Sequence, residues 1–247
     1  MSKINSDFVY KIIVFLVVGL FLLGRMMKST CACLEEDAQV ANTVQKIKSI
    51  EAALIVFQDT YGVMPGDMVA VDQILKCKNQ KCLPGNGDGR LGPLSEGQII
   101  KMQDERKLFW SHLHHADLLD GINPNSTEVA WGKSFPSTIL GGGMHIRQAT
   151  DPHTYPFKNL NGPLNKGLYL VLSDDLNGDF SKHNKATFPT SKVAAIDKKL
   201  DDGQPFTGTV QASAPQKCFM EYETGRWIYK EEMDRNCISH IFVQLWQ

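Results

Sequence analysis

The sequence predicts an α+β protein in which a long N-terminal helix, first half transmembrane and second half amphipathic, packs on an antiparallel β-sheet head. Three observations predict it. An apolar run from Ile12 to Gly24 lies near the start of the chain. A single apolar stripe then continues to Tyr61, where Gly62 and Pro65 stop a helix. Short β-branched and aromatic segments fill the C-terminal part. Three regions follow: 1–30 as the anchor, 31–62 as the amphipathic half of the helix, and 63–247 as the globular α+β head.

The anchor extends from Phe8 to Met27 if Lys11 and Arg25 snorkel to the two interfaces, since about 20 helical residues cross a bilayer. A cleavable secretory signal is the rival, with Lys3 and Lys11 as its basic region and Thr30-Cys31-Ala32 as a small-residue site. Arg25, Met26, Met27 and Lys28 make a poor approach to a signal peptidase, which favours an uncleaved anchor. Flanking charge leaves the orientation open, because Lys3 and Lys11 balance Arg25 and Lys28. Next, Val40, Val44, Ile47, Ile50, Leu54, Phe57 and Tyr61 advance by threes and fours, one stripe on an α-helix.

In the head, a second helix is expected from Gly97 to Leu119, with Ser95 and Gln98 as a capping box and Gly121 beyond its end. Residues 77–92 read as loop. The turn formers between Trp131 and Gly162, with Gly141-Gly142-Gly143, read as irregular structure. Gly167 to Leu172 reads as a buried strand, and Ser191 as the cap of a short helix through Leu200 ended by Gly203. Strands are expected at 207–211, 218–222, 227–229 and 237–246, giving an antiparallel sheet.

A net charge of −1 with 21% charged residues excludes bulk-charge polyanion binding and acidic disorder. Lysines and arginines lack interleaved aromatics, so nucleic acid is excluded as a partner. Six cysteines, at 31, 33, 77, 82, 218 and 237, show no paired C-x2-C metal spacing. The four head cysteines allow three pairings. The sequence-local one joins Cys77 to Cys82 and Cys218 to Cys237 and places the head in an oxidising compartment; four reduced buried thiols are the alternative.

Nucleophile motifs such as G-x-S-x-G or S-x-x-K are missing from the sequence, which reads as non-enzymatic. His112, His114 and His115 lack zinc spacing and read as one packed and two solvated side chains. Calcium is the candidate cofactor. Asp175, Asn177 and Asp179 offer oxygens at alternate positions, and Asn86 and Asp88 do so in the Gly85–Gly89 loop. Phe180 stands where such a loop wants Gly, and the same residues are ordinary turn formers. In Asp197–Gly203, Asp197 and Asp201 share one face of a helix end, and a positive partner is expected for acids so close to a C-terminus.

Taken together, "FQDTYGVMPGDM", "GNGDG", "FWSHLHHADLLDG" and "AAIDKKLDDGQPFTG", with the apolar N-terminus and two C-terminal cysteines, resemble bacterial type IV pilin-like proteins, including type II secretion pseudopilins. The resemblance implies a pilin-like fold, a Cys218–Cys237 disulfide, recurrent calcium sites, and helical filaments bundled through the N-terminal helices. Its processing site falls at Asp7 and Phe8, where Asp7 replaces the usual Gly and Ile12 replaces the usual Glu. The implied function is a membrane-anchored structural subunit of a type IV pilus-like or type II secretion assembly. Its partners would be the membrane, other pilin-like subunits and the assembly machinery, with the head in the periplasm or at the cell surface. The alternative is a membrane-tethered periplasmic binding module with calcium-stabilised loops.

Overall fold

The structure, a computed structural model, describes residues 6–75, 77, 82–92, 103–149, 166–176, 188–213, 216–223, 225–231 and 238–246. The chain divides into two compact units, Met1–Gln39 and Val40–Gln247. Helix α1 is Ser6–Tyr61. In the first unit Val14, Phe15, Leu16, Val17 and Val18 are exposed.

The expected fold class does not hold. Among the described residues no helix is long and apolar enough to cross a membrane. Lys11 and Arg25 flank an uncharged run of 13 residues, from Ile12 to Gly24, where about 20 helical residues cross a bilayer. What the chain has is α+β content with an antiparallel sheet.

In the second unit the apolar stripe of α1 is buried. Val40, Val44, Ile47, Ile50, Leu54 and Phe57 enter one core, and Tyr61 lies partly buried against it. Gly62 then takes the left-handed conformation and donates its N–H to the Gln58 carbonyl, closing the helix. A one-turn helix α2 (Val71–Ile74) follows.

Helix α3 (Glu105–His115) is shorter than the sequence predicts. Asp104 is extended and its carboxylate accepts the N–H of Arg106, so the helix starts there. Arg106 also turns its guanidinium back onto Asp104, a buried ion pair. Ser95 and Gln98, the expected capping box, lie outside the described residues.

Strand β1 (Gly143–Ala149) corrects the expectation of irregular structure after Trp131. The three glycines lead directly into it: Gly141 and Gly142 have positive φ and turn the chain so that residue 143 begins pairing. Strand β2 (Gly167–Ser173) falls where the buried apolar run predicts it.

After β3 (Phe188–Pro189), α4 (Thr190–Leu200) starts with Pro189 at its N-cap and no side-chain cap, so Ser191 lies inside the helix. Strands β4 (Val210–Ser213), β5 (Phe219–Glu223), β6 (Arg226–Tyr229) and β7 (Ile238–Trp246) complete the chain. Four antiparallel pairings build a five-stranded sheet in the order β1-β2-β7-β3, with β4 also on β7, while β5 and β6 form a hairpin.

Side chains alternate across the sheet as pleating requires. Leu168, Leu170 and Leu172 of β2 share the core of the α1 stripe, as do Met144 and Ile146 of β1. Tyr169 and Val171 face the other way with Ala149 and Phe242.

Candidate functional site

Three chain segments meet where α1 ends: the turn 64–68, the loop 83–92 and the first turns of α3. Close approach of the first two requires glycine. A Cβ on Gly85 would collide with the backbone of Gly66 and Asp67, and one on Gly66 with the Glu105 carbonyl oxygen. At the centre sits the buried carboxylate of Asp67. Its Oδ1 accepts the N–H of Gly87 at 2.7 Å and of Asp88 at 3.0 Å, and its Oδ2 accepts the N–H of Gly89 at 2.8 Å. Positive φ at Gly87 and Gly89 is what lets successive amides converge on one anion.

Glu105 repeats the arrangement from α3. Its two oxygens accept Asn86 N–H and Gly92 N–H, each at 2.9 Å. The calcium candidates Asn86 and Asp88 point back into the loop itself, accepting the N–H of Asp88 at 2.8 Å and of Arg90 at 2.9 Å. Gln148 of β1 ties the loop to the sheet by accepting Leu91 N–H at 2.7 Å.

His112 locks the same region from α3. Gly66 N–H donates to its Nδ1 at 2.9 Å, so Nε2 carries the proton and donates to the Leu83 carbonyl, also at 2.9 Å. Burial lowers its pKa to about 4, against an opposing pull from the Leu83 carbonyl, so the ring is neutral near pH 7. With both nitrogens engaged it has no lone pair left for a metal. His114 is also tied, its Nδ1 meeting the Leu119 carbonyl at 3.1 Å. Burial, then the neighbouring His114, lowers the pKa of His115.

A second carboxylate group joins α4 to the strands after it. Asp197 is fully buried; Tyr229 of β6 donates its hydroxyl at 2.7 Å and Gly203 its N–H at 3.1 Å. Burial raises the Asp197 pKa to about 7, opposed by these two donors and assisted by Asp202 and Asp201. The same burial, with Asp197 beside it, pushes the Tyr229 hydroxyl far above its ordinary range. Asp201 accepts Thr209 N–H, and Val210 N–H at 3.0 Å, fastening the start of β4. Gly208 admits this contact, since a Cβ there would meet the Asp201 carboxylate. Asp202 accepts from Gln204 N–H at 2.8 Å and from the Thr207 hydroxyl.

The positive partner expected for this cluster is therefore replaced, among the described residues, by amides and hydroxyls. The missed signal is the Thr207-Gly208-Thr209 stretch after the acids, which brings a hydroxyl and backbone N–H groups to them.

Of the other expected sites, Cys77 and Cys82 are joined in a disulfide. Cys218 is disulfide-bonded as well, while Cys237 lies outside the described residues. Asp175 follows β2, with Ser173 Oγ accepting its N–H at 3.0 Å; Asn177 and Asp179 lie outside the described residues. Asp7 and Phe8 fall in the first turn of α1.

Beside the Asp67 loop a cleft of about 910 Å³ opens between the last turns of α1, loop residues 87–90 and the adjacent ends of β1 and β2. Ile55, Val63, Met64 and Leu168 give it apolar walls, and Gln58, Asp59, Arg90 and Lys166 its polar groups. Sequence reasoning did not single out this set, because its members come from four separate segments. Compared with known proteins, the chain matches no family model, no curated protein and no solved structure.

Proposed function

We propose that the protein is a non-catalytic structural subunit of a pilus-like or secretion-associated assembly, acting through α1 with other copies of its kind. One observation carries the reading: the helix that buries its stripe in the head leaves Ile55 54% and Val56 47% exposed on its outer side. Apolar side chains left open on a packed helix suit a subunit contact better than solvent. The sequence resemblance to type IV pilin-like proteins supports the same reading. So does the use of the strongest polar groups, Asp67, Glu105, His112 and Asp197, to hold backbone amides and carbonyls.

The compartment that goes with this reading is the periplasm or cell surface beside the bacterial inner membrane. Two disulfide-bonded sites support an oxidising environment. A second reading, a periplasmic binding module with calcium-stabilised loops, is favoured by two acid groups, Asp67, Asp88 and Glu105 and Asp197, Asp201 and Asp202. In each, one ligand atom per residue lies within 4.8 Å of the others.

Light scattering across a concentration series tests the leading proposal. The wild-type protein should form assemblies, and the pair Ile55→Asp and Val56→Asp should reduce them to monomer with unchanged circular dichroism. A wild-type monomer at every concentration would sink the proposal.

A further inference from the structure

We infer that the cleft at the end of α1 binds a peptide segment presenting a carboxylate, with the carboxylate between Arg90 and Lys166 and a peptide group on Gln58. This goes beyond subunit assembly and does not rest on it.

The cleft's size comes first. About 910 Å³ falls within the roughly 300–1,000 Å³ typical of ligand sites, which are apolar cavities with a few placed polar groups. Ile55 and Val63, 54% and 39% exposed, present apolar surface at its wall, and Met64 and Leu168 continue it. Apolar side chains of a peptide would cover that surface.

The second observation is a missing partner. Gln58 lines the cleft, yet its Oε1 is buried with no donor, and its Nε2 meets only the thioether of Met64 at 3.6 Å. Buried acceptors are nearly always paired, so this unpaired amide gains a partner when its side chain turns into the cleft it lines and takes an N–H from a ligand. Reversing the side-chain amide would ask for a carbonyl instead. A peptide group carries both and answers either orientation.

Charge selects the rest of the ligand. Arg90 and Lys166 are exposed lining residues, and neither enters an ion pair among the described residues. Of the two acids in the lining, Asp67 is already surrounded by the amides of residues 87–89. Asp59 remains as a further acceptor for ligand N–H groups. Two uncommitted cations over an apolar wall, with the unpaired Gln58 amide and the exposed Asp59 beside them, match a carboxylate joined to a peptide backbone. That carboxylate has two sources, a chain terminus or an Asp or Glu side chain.

The test is calorimetric titration of the full-length protein with three peptides: acetyl-Leu-Leu-Leu as the free acid, the same peptide as its amide, and acetyl-Leu-Glu-Leu-amide. At least one carboxylate peptide should bind about tenfold tighter than the uncharged amide, and weaken as salt rises. Preference for the free acid identifies a terminus and preference for the Glu peptide a side chain; both uphold the proposal. Arg90→Gln and Lys166→Gln should each remove most of that tenfold advantage without weakening the uncharged peptide, and Gln58→Leu should weaken all three. Equal binding of all three peptides, an advantage untouched by both cation substitutions, or no binding at about 1 mM peptide would overturn it.

Discussion

Asp197→Asn should remove a titration that stabilises the fold as the medium is acidified. In the folded protein the Asp197 pKa is about 7, raised from the ordinary 3.8 chiefly by burial. A raised folded pKa means that the native state takes up a proton between pH 7 and pH 4 while the unfolded chain does not, so stability grows as pH falls through that window. From pH 8 to pH 5 linkage gives a gain of about 3 kcal/mol. His112 works in the opposite direction. Its folded pKa is about 4 against an ordinary 6.5, so the unfolded chain takes the proton first, and the same change costs about 2 kcal/mol. The two effects largely cancel in the wild type. In Asp197→Asn only the histidine remains of this pair, so the variant should lose stability on acidification where the wild type holds. Urea denaturation at pH 5, 6, 7 and 8, at fixed ionic strength and without reductant, measures this directly. The quantity to plot is the stability difference between the two proteins, in which His112 and all other shared groups drop out. Wild type minus variant should rise by about 3 kcal/mol from pH 8 to pH 5; a difference that is flat or falls would refute the buried, neutral-at-acid carboxyl.

Replacing Cys77 and Cys82 together with serine should lower stability by about 2 kcal/mol, the chain-entropy expectation for so short a loop. The midpoint of urea unfolding without reductant checks it, and an unchanged midpoint would show that the bond closes a loop already ordered by its neighbours. The calcium reading predicts a rise in Tm of several degrees on adding millimolar calcium, reversed by chelator. A Tm indifferent to both would leave the acid groups as amide-holding devices alone.

Much of the fold is legible where a single period dominates. The stripe from Val40 to Phe57 names the buried face of α1, and the run Gly167 to Leu172 names the central β2, because each is long and regular enough to outweigh local noise. Legibility fails where tertiary contacts decide. Strand β1 carries His145, Arg147 and Gln148 among its seven residues, a composition that reads as loop, yet pairing with β2 and burial on both faces make it a strand. Asp104 interrupts the expected long second helix because an extended aspartate that caps the next turn outcompetes helix continuation. The transmembrane half rests on a 13-residue uncharged run flanked by Lys11 and Arg25, and among the described residues no helix is long and apolar enough to cross a membrane. For the sites, the acids at 67, 197 and 201 stand out in sequence only as carboxylates; that amides would satisfy them depends on later turns, 20 residues on for Gly87 and 6 for Gly203.

That last point connects the two carboxylate centres. In each, an aspartate collects N–H groups from a later turn whose glycines have positive φ: Gly87 and Gly89 around Asp67, and Gly203 and Gly208 around the Asp197–Asp201 pair. A buried carboxyl group held by hydrogen-bond donors fixes the chain in place without needing a second side chain of opposite charge. It also ties each loop to the helix that carries the acid or precedes it. Loop 83–92 is thereby anchored to α3 through Glu105 and to β1 through Gln148. Arg90 consequently stands at the cleft on a loop that is rigidly referenced to the sheet, and Gln58 approaches the same cleft from a helix whose opposite face is core. A binding surface built on such supports is preformed, and association with it does not have to order the loop first.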